Sequence, residues 1–229
     1  TAAGRCDLPL AGGVVTLSGR YQDYDRGVPG STFFPTPTDR QNYATALGSL
    51  TWKREGLSSR DTVRFGMWQE DYTLEYTDWM SAAQVTQADP NYYEANWQHD
   101  FLFNRGEVNV GVEWRRFEGD YTDTATGSYN ARNDSKAAYA LVQLRPDRNW
   151  RVLGGARWQE DDLFDVDPTW RCGVTRLLDE GRAGVWFGYG TAFKAPTFND
   201  LFFPGAGNTD LRPETSRGWE IGAWHEVSN

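Results

Sequence analysis

The carboxylates Glu70 and Asp71, the run Glu160, Asp161 and Asp162 with Asp165 and Asp167, and the isolated His99 and His225 are the side chains whose types invite chemistry. Paired carboxylates could act as general acid and base, or supply some of the roughly six to eight oxygens that a calcium ion takes. Neither set is complete. The 160–167 segment lacks the glycine-containing spacing of an EF-hand loop, and a solvated acidic rim accounts for it more simply. The same holds for Asp23 and Asp25. Cys6 and Cys172 are too far apart for a CxxC site, and a bridge between them needs geometry to assign, so two free thiols are the favoured reading. No Gly-x-Ser-x-Gly elbow, phosphate loop, His-Glu-x-x-His or dinucleotide fingerprint is present. No catalytic residue and no metal ligand is assigned, and the chain is not read as an enzyme.

What remains is binding chemistry. Aromatic residues make up 15% of the chain, and those in polar or Pro/Gly-rich connectors suit rigid contact with a bulky ligand. The candidate ligand-binding residues are Phe33, Phe34, Tyr76, Trp79, Tyr121 and Tyr129, with Phe198, Phe202 and Phe203 in a further connector. Trp97, Trp114, Trp158, Trp186 and Trp219 fall instead on strand faces, where a membrane-interface girdle is the simpler role.

The elements that must carry these residues are strands. Val108, Val110, Val112 and Trp114 alternate with Asn109, Gly111, Glu113 and Arg115, and the turn Asn104-Arg105-Gly106-Glu107 joins them to the alternating run 93–103, which predicts a hairpin. Similar runs begin near Val14, 40, 60, 136, 150, 169, 183 and 217, about ten in all, after a lead-in over 1–12. Long connectors are expected at 23–38, 75–90, 119–133, 160–167 and 191–214. Short ones at 54–59, 104–107, 145–149 and 178–182 alternate with them. Strands of about ten residues with loops sorted in this way predict an antiparallel transmembrane β-barrel, long loops outside and short turns in the periplasm. The mean hydropathy of -0.68 agrees, since only alternate residues face lipid. No window approaches the roughly 18 apolar residues of a membrane helix. A net charge of -9 without a basic stripe argues against nucleic acid. A soluble β-sandwich gives no reason for such sorted loops.

Residues 191–214 carry the most specific pattern. Pro196, Pro204 and Pro213 are expected to exclude helix and central strand, and Gly205, Gly207 and Asn208 offer turns. Phe193, Lys194, Ala195, Pro196, Leu201 and Phe202, followed by Gly207, Asn208, Leu211, Arg212, Pro213 and Glu214, resemble the motif of TonB-dependent outer-membrane receptors. Arg212 and Glu214 are expected to anchor the return to the next strand. Asp25-Arg-Gly-Val-Pro-Gly30, then Phe34-Pro-Thr-Pro37 and Arg40, resemble a loop of the cobalamin (vitamin B12) receptors, although ferric-siderophore receptors carry related segments.

The resemblance implies a receptor in the outer membrane of a Gram-negative bacterium that takes up a large scarce solute with energy from the TonB complex. Cobalamin is the favoured cargo, a ferric siderophore the alternative; a passive pore would lack the 191–214 motif. Its partners would be outer-membrane lipid, the large ligand and, through a plug domain, TonB. Some cobalamin receptors use calcium on outer loops, but no ligand of that kind matches a position here. Nothing in 1–229 resembles the plug, a TonB box or an aromatic-ended last strand, and plugged transporters close with about 22 strands. The chain therefore reads as a barrel portion.

Overall fold

The computed structural model describes residues 1–28, 35–77 and 82–227, so Phe33, Phe34 and Trp79 lie outside the described residues. Among the described residues, twelve strands form one antiparallel sheet. They are β1 (Ala2–Leu10), β2 (Gly13–Gly27), β3 (Arg40–Glu55), β4 (Ser59–Thr77), β5 (Ala83–Ala88), β6 (Asn91–Phe103), β7 (Gly106–Asp123), β8 (Gly127–Leu144), β9 (Trp150–Asp161), β10 (Thr169–Leu178), β11 (Ala183–Lys194) and β12 (Glu214–His225). Apart from β5 and β6, neighbours in sequence are neighbours in the sheet, and β1 and β12 are its two edges.

β5 and β6 share one column between β4 and β7. Tyr72 faces Ala88 and Gln69 faces Asn91, so the register on β4 runs unbroken across Asp89 and Pro90. Pro90 lacks the amide that would continue the ladder. It interrupts the hydrogen bonding, not the course of the chain.

Parity assigns the faces. Leu17, Leu50 and Phe65 stand in one cross-strand row, and Val63, Trp97, Val112 and Ala138 in another. Large apolar side chains here are exposed, among them Phe65 at 53%, Val112 at 51% and Ile221 at 71%, whereas the buried apolar residues among those described are only Ala137, Phe164 and Leu201. Apolar side chains turned outward and polar ones inward is the arrangement of a membrane barrel wall, the inverse of a soluble sandwich.

The polar face is the crowded one. A Cβ on Gly111 would collide with the Tyr139 ring, one on Gly184 with Trp224 and one on Gly222 with Trp186, whereas outward-facing Gly4 and Gly154 have nothing within 4 Å. Curling toward the polar side crowds its side chains, and glycines accommodate the large ones. Hereafter it is the inner face.

Several sequence expectations are corrected. Residues 1–12 hold β1, paired along its whole length with β2, and Pro9 is tolerated because β1 is an edge. The connector before Pro90 contains β5. The expected loop 119–133 is mostly strand, closed by a turn at 124–126, and its alternation is weak because both faces project beyond the apolar zone. Trp186 has the parity of the inner face and covers Gly222, so it is no part of a lipid-facing girdle. His99 faces outward, with its Nδ1 2.7 Å from Asp61 Oδ1 and its ring 4.4 Å from that of Phe101. Both cysteines are free and exposed, as expected.

Candidate functional site

The connections sort by end. Those at 11–12, 56–58, 104–105, 145–149 and 179–182 lie at one end of the sheet, and those following β2, β4, β7, β9 and β11 at the other. The candidate site is the inner face at this second end, where the 195–213 connection folds back onto the wall.

That connection contains one helical turn, α1 (Phe198–Phe202), which the prolines were expected to forbid. They frame it instead. Pro196 holds the approach extended, and Thr197 caps: its Oγ1 accepts from the Asp200 amide at 3.2 Å while Asp200 Oδ2 accepts from the Thr197 amide at 2.8 Å. Pro204 cannot continue the helix. The returning chain closes on α1 through the amides of Gly207 to Phe203 O (2.7 Å) and Asn208 to Asp200 O (2.8 Å). Leu201 is buried under this strap at 3% exposure.

The strap reaches from β11 to the β7–β8 hairpin. Phe198 packs on Phe117 at 4.9 Å between centroids, Phe203 on Tyr121 at 5.8 Å and Phe202 on Tyr129 at 6.2 Å. The Tyr129 hydroxyl donates to Asn199 Oδ1. These phenylalanines therefore anchor the strap. Of the two residues expected to anchor the return, Glu214 makes an exposed 3.7 Å ion pair with Lys194 of the neighbouring β11, whereas Arg212 is exposed with no ion pair among the described residues. Surface pairs of this kind contribute little.

Tyr121 and Tyr129 belong to a longer row. Tyr24 faces Tyr43, Tyr43 faces Tyr72, Tyr72 faces Ala88, Ala88 faces Tyr121 and Tyr121 faces Tyr129. Tyr24 and Tyr43 stack at 5.0 Å, and Tyr121 and Tyr129 at 5.1 Å. The row thus crosses the inner face from β2 to β8 with a gap at Ala88, and the strap continues it with Phe202 and Phe203. Tyr43 donates to Glu70 Oε2 at 2.7 Å. Of the residues gathered here, the sequence singles out Tyr121 and Tyr129 but not Tyr24, Tyr43, Tyr72, Phe117, Asp123 or Asn199. The available signal was tyrosine recurring at polar-parity positions near strand ends.

Tyr76 also joins this region, donating to Asp123 Oδ2 at 3.2 Å. Asp123, 4% exposed at the hairpin tip, further accepts from Thr86 Oγ1 (2.5 Å), the amides of Ala125 and Thr126 (both 2.9 Å) and Thr126 Oγ1 (3.0 Å). Burial alone would raise its pKa, but these donors outweigh it and lower it from 3.8 to about 2. A depressed carboxylate contributes stability that is fully present above the unfolded value near 4 and lost as pH falls through 2. Pepsin cleavage at the 124–126 turn is therefore expected to accelerate between pH 4 and pH 2. In Asp123→Asn that turn is expected to be cut readily at pH 4 already. An unchanged pH profile in the variant would show that other groups hold the tip.

Among the described residues no group of three His, Cys, Asp or Glu side chains is placed to hold a metal ion. Asp161 is occupied by Asn133 Nδ2 at 3.0 Å and the Leu163 amide at 3.1 Å.

An antiparallel wall with an apolar exterior, a polar interior and an aromatic mouth defines a β-barrel wall of the outer-membrane kind. The family model for the TonB dependent receptor-like β-barrel matches residues 7–223, and the chain belongs to that family. It is 27% identical over 208 residues to the vitamin B12 transporter BtuB of Photobacterium profundum, covering 90% of this chain and 33% of that protein. Among solved structures it resembles the copper transporter OprC, with a TM-score of 0.78 at 12% identity, covering 98% of this chain and 42% of that one. It also resembles the siderophore receptor PiuA from Acinetobacter baumannii, with a TM-score of 0.66 at 13% identity, covering 93% and 45%. The chain spans about a third of the length of that B12 transporter.

Proposed function

We propose that the chain forms part of the wall and mouth of an outer-membrane receptor in a Gram-negative bacterium, which captures cobalamin and imports it with energy from TonB. The observation that carries the cargo is the tyrosine row. Five phenol rings at one level make a broad, partly apolar surface with hydroxyls along it, suited to a large, flat, polar-edged solute. The relation to a B12 transporter over nine-tenths of the chain supports the same cargo. The unpaired edges β1 and β12, and the greater length of the relatives, support reading 1–229 as a barrel portion completed by a plug and further strands. A ferric siderophore is the second cargo, favoured by the likeness to PiuA.

The test is a titration of the intact receptor with cyanocobalamin and, separately, with ferric siderophores. Cyanocobalamin is expected to bind, and Tyr72→Ala and Tyr121→Ala each to weaken it by about tenfold, the effect of removing an aromatic contact worth roughly 1.4 kcal/mol. Binding of a ferric siderophore without cyanocobalamin would replace the cargo. Tight cyanocobalamin binding by both variants would remove the row from the site.

A further inference from the structure

At the opposite end of the wall the charge reverses. The chain as a whole carries -9, yet the adjacent turns at 104–105 and 145–149 bring Arg105, Arg145, Arg148 and Arg151 around one cavity of about 400 Å³. The two turns are joined by the Arg145 amide donating to Arg105 O at 2.6 Å.

Two of the guanidinium groups are fixed in place without being neutralised. Arg105 donates to Pro146 O at 3.1 Å, and Arg151 to Trp150 O, Arg148 O and Asp147 O at 2.9, 3.3 and 3.4 Å. Carbonyl oxygens orient these groups but carry no formal charge. Arg145 and Arg148 have no ion pair among the described residues and are exposed. The one carboxylate lining the cavity, Asp147, is turned to the amides of Asn149 and Trp150 at 2.7 and 3.1 Å. Four cations thus surround a space with one anion whose Oδ1 is already engaged.

The position indicates what fills it. Trp150 faces outward with the guanidinium of Arg176 4.8 Å from its ring centroid, and an aromatic ring paired with a cation marks the membrane interface at this end. The cavity lies at the same end: Arg105, Arg145 and Arg148 stand in the turns beyond the strand ends, and Arg151, the second residue of β9, has the parity of the inner face. Guanidinium groups bind phosphate oxygens in pairs, through charge-assisted hydrogen bonds.

We propose that Arg105, Arg145, Arg148 and Arg151 form a phosphate-binding pocket at the short-turn rim, taken by the headgroup of an anionic phospholipid. It rests on the membrane reading of the outer face and is independent of the cargo.

The test uses the intact receptor in a non-ionic detergent, titrated with phosphatidylglycerol, with phosphatidylcholine of the same chain length and with inorganic phosphate. Retained lipid is counted by native mass spectrometry, and phosphate binding is followed by phosphorus NMR. Phosphatidylglycerol is expected to be retained over phosphatidylcholine. The double variant Arg145→Gln/Arg148→Gln is expected to weaken that retention by about tenfold or more, the scale of losing charge-assisted bonds. Arg212→Gln, which removes the same charge type at the far end, is expected to change nothing. Inorganic phosphate bound by the native protein and not by the double variant, without a lipid preference, would keep the pocket and assign it to the soluble ion. Equal phosphatidylglycerol retention by native protein and double variant overturns the proposal, as does binding of neither probe, or of an acidic peptide only. If the double variant does not fold, as judged by heat-modifiable gel mobility, Arg148→Gln alone carries the comparison, since its side chain projects from the exposed turn.

Discussion

Val112→Arg is expected to reduce folding into lipid vesicles by about 2 to 4 kcal/mol, the measured scale for a cation placed at the lipid-facing midplane of a barrel. Val112 faces Trp97 and Ala138, in the middle of the outward apolar row of β7, and half of it is open to the surroundings. Those surroundings are hydrocarbon, where a guanidinium has neither water nor a counterion. Gln143→Arg is the matched control. Gln143 faces inward, exposed, and its Nε2 donates to Glu107 Oε1 at 2.7 Å, so an arginine there would meet water and a carboxylate. A change within about 0.5 kcal/mol is expected for it. Urea titration of both variants in thin-bilayer vesicles measures the difference. Equal stabilities would reverse the assignment of the faces.

The same parity explains how much was legible in the sequence. Within the bilayer each strand must alternate, because lipid lies on one side and water or polar groups on the other, so the runs around Val108–Val112 and 93–103 identified themselves. Where strands project beyond the apolar zone that requirement disappears. Residues 119–123 and 127–133 are polar on both faces and read as loop, although they form the longest hairpin of the wall and carry Tyr121, Asp123 and Tyr129. By sequence Pro90 marks the end of a connector, yet the backbone keeps its register on both neighbours, which no local rule reveals. The tyrosine row is invisible locally for another reason. Its members come from five strands spread over 24–129, and only the accumulated register brings them level. The 191–214 motif was recognisable, but the prolines alone did not disclose that a capped turn fits between them.

Gly207→Ala is expected to detach the strap and disturb the mouth, and the cause is space. A Cβ on Gly207 would lie 2.6 Å from Leu201 O and 2.7 Å from the Phe203 nitrogen. Both are backbone atoms of α1 or of the residue just after it, so no side-chain rotation relieves the contact. Either α1 unwinds, or the returning chain withdraws and loses the bonds from Gly207 to Phe203 and from Asn208 to Asp200. Overpacking of this kind costs about 1 to 3 kcal/mol, and the loss of Leu201 burial adds to it. Phe198 and Phe202 would then leave Phe117 and Tyr129, freeing the β8 end of the tyrosine row. Gly205→Ala separates space from conformation. Gly205 has φ +74° but nothing within 4 Å of a Cβ, so its alanine variant meets only the left-handed backbone cost of roughly 1 kcal/mol. Amide exchange across 197–208 and 117–129 is expected to accelerate in both segments for Gly207→Ala, and only locally near 205 for Gly205→Ala. Slow exchange of 117–129 in Gly207→Ala would mean that the hairpin holds its place without the strap, and that the motif organises only the β11–β12 connection.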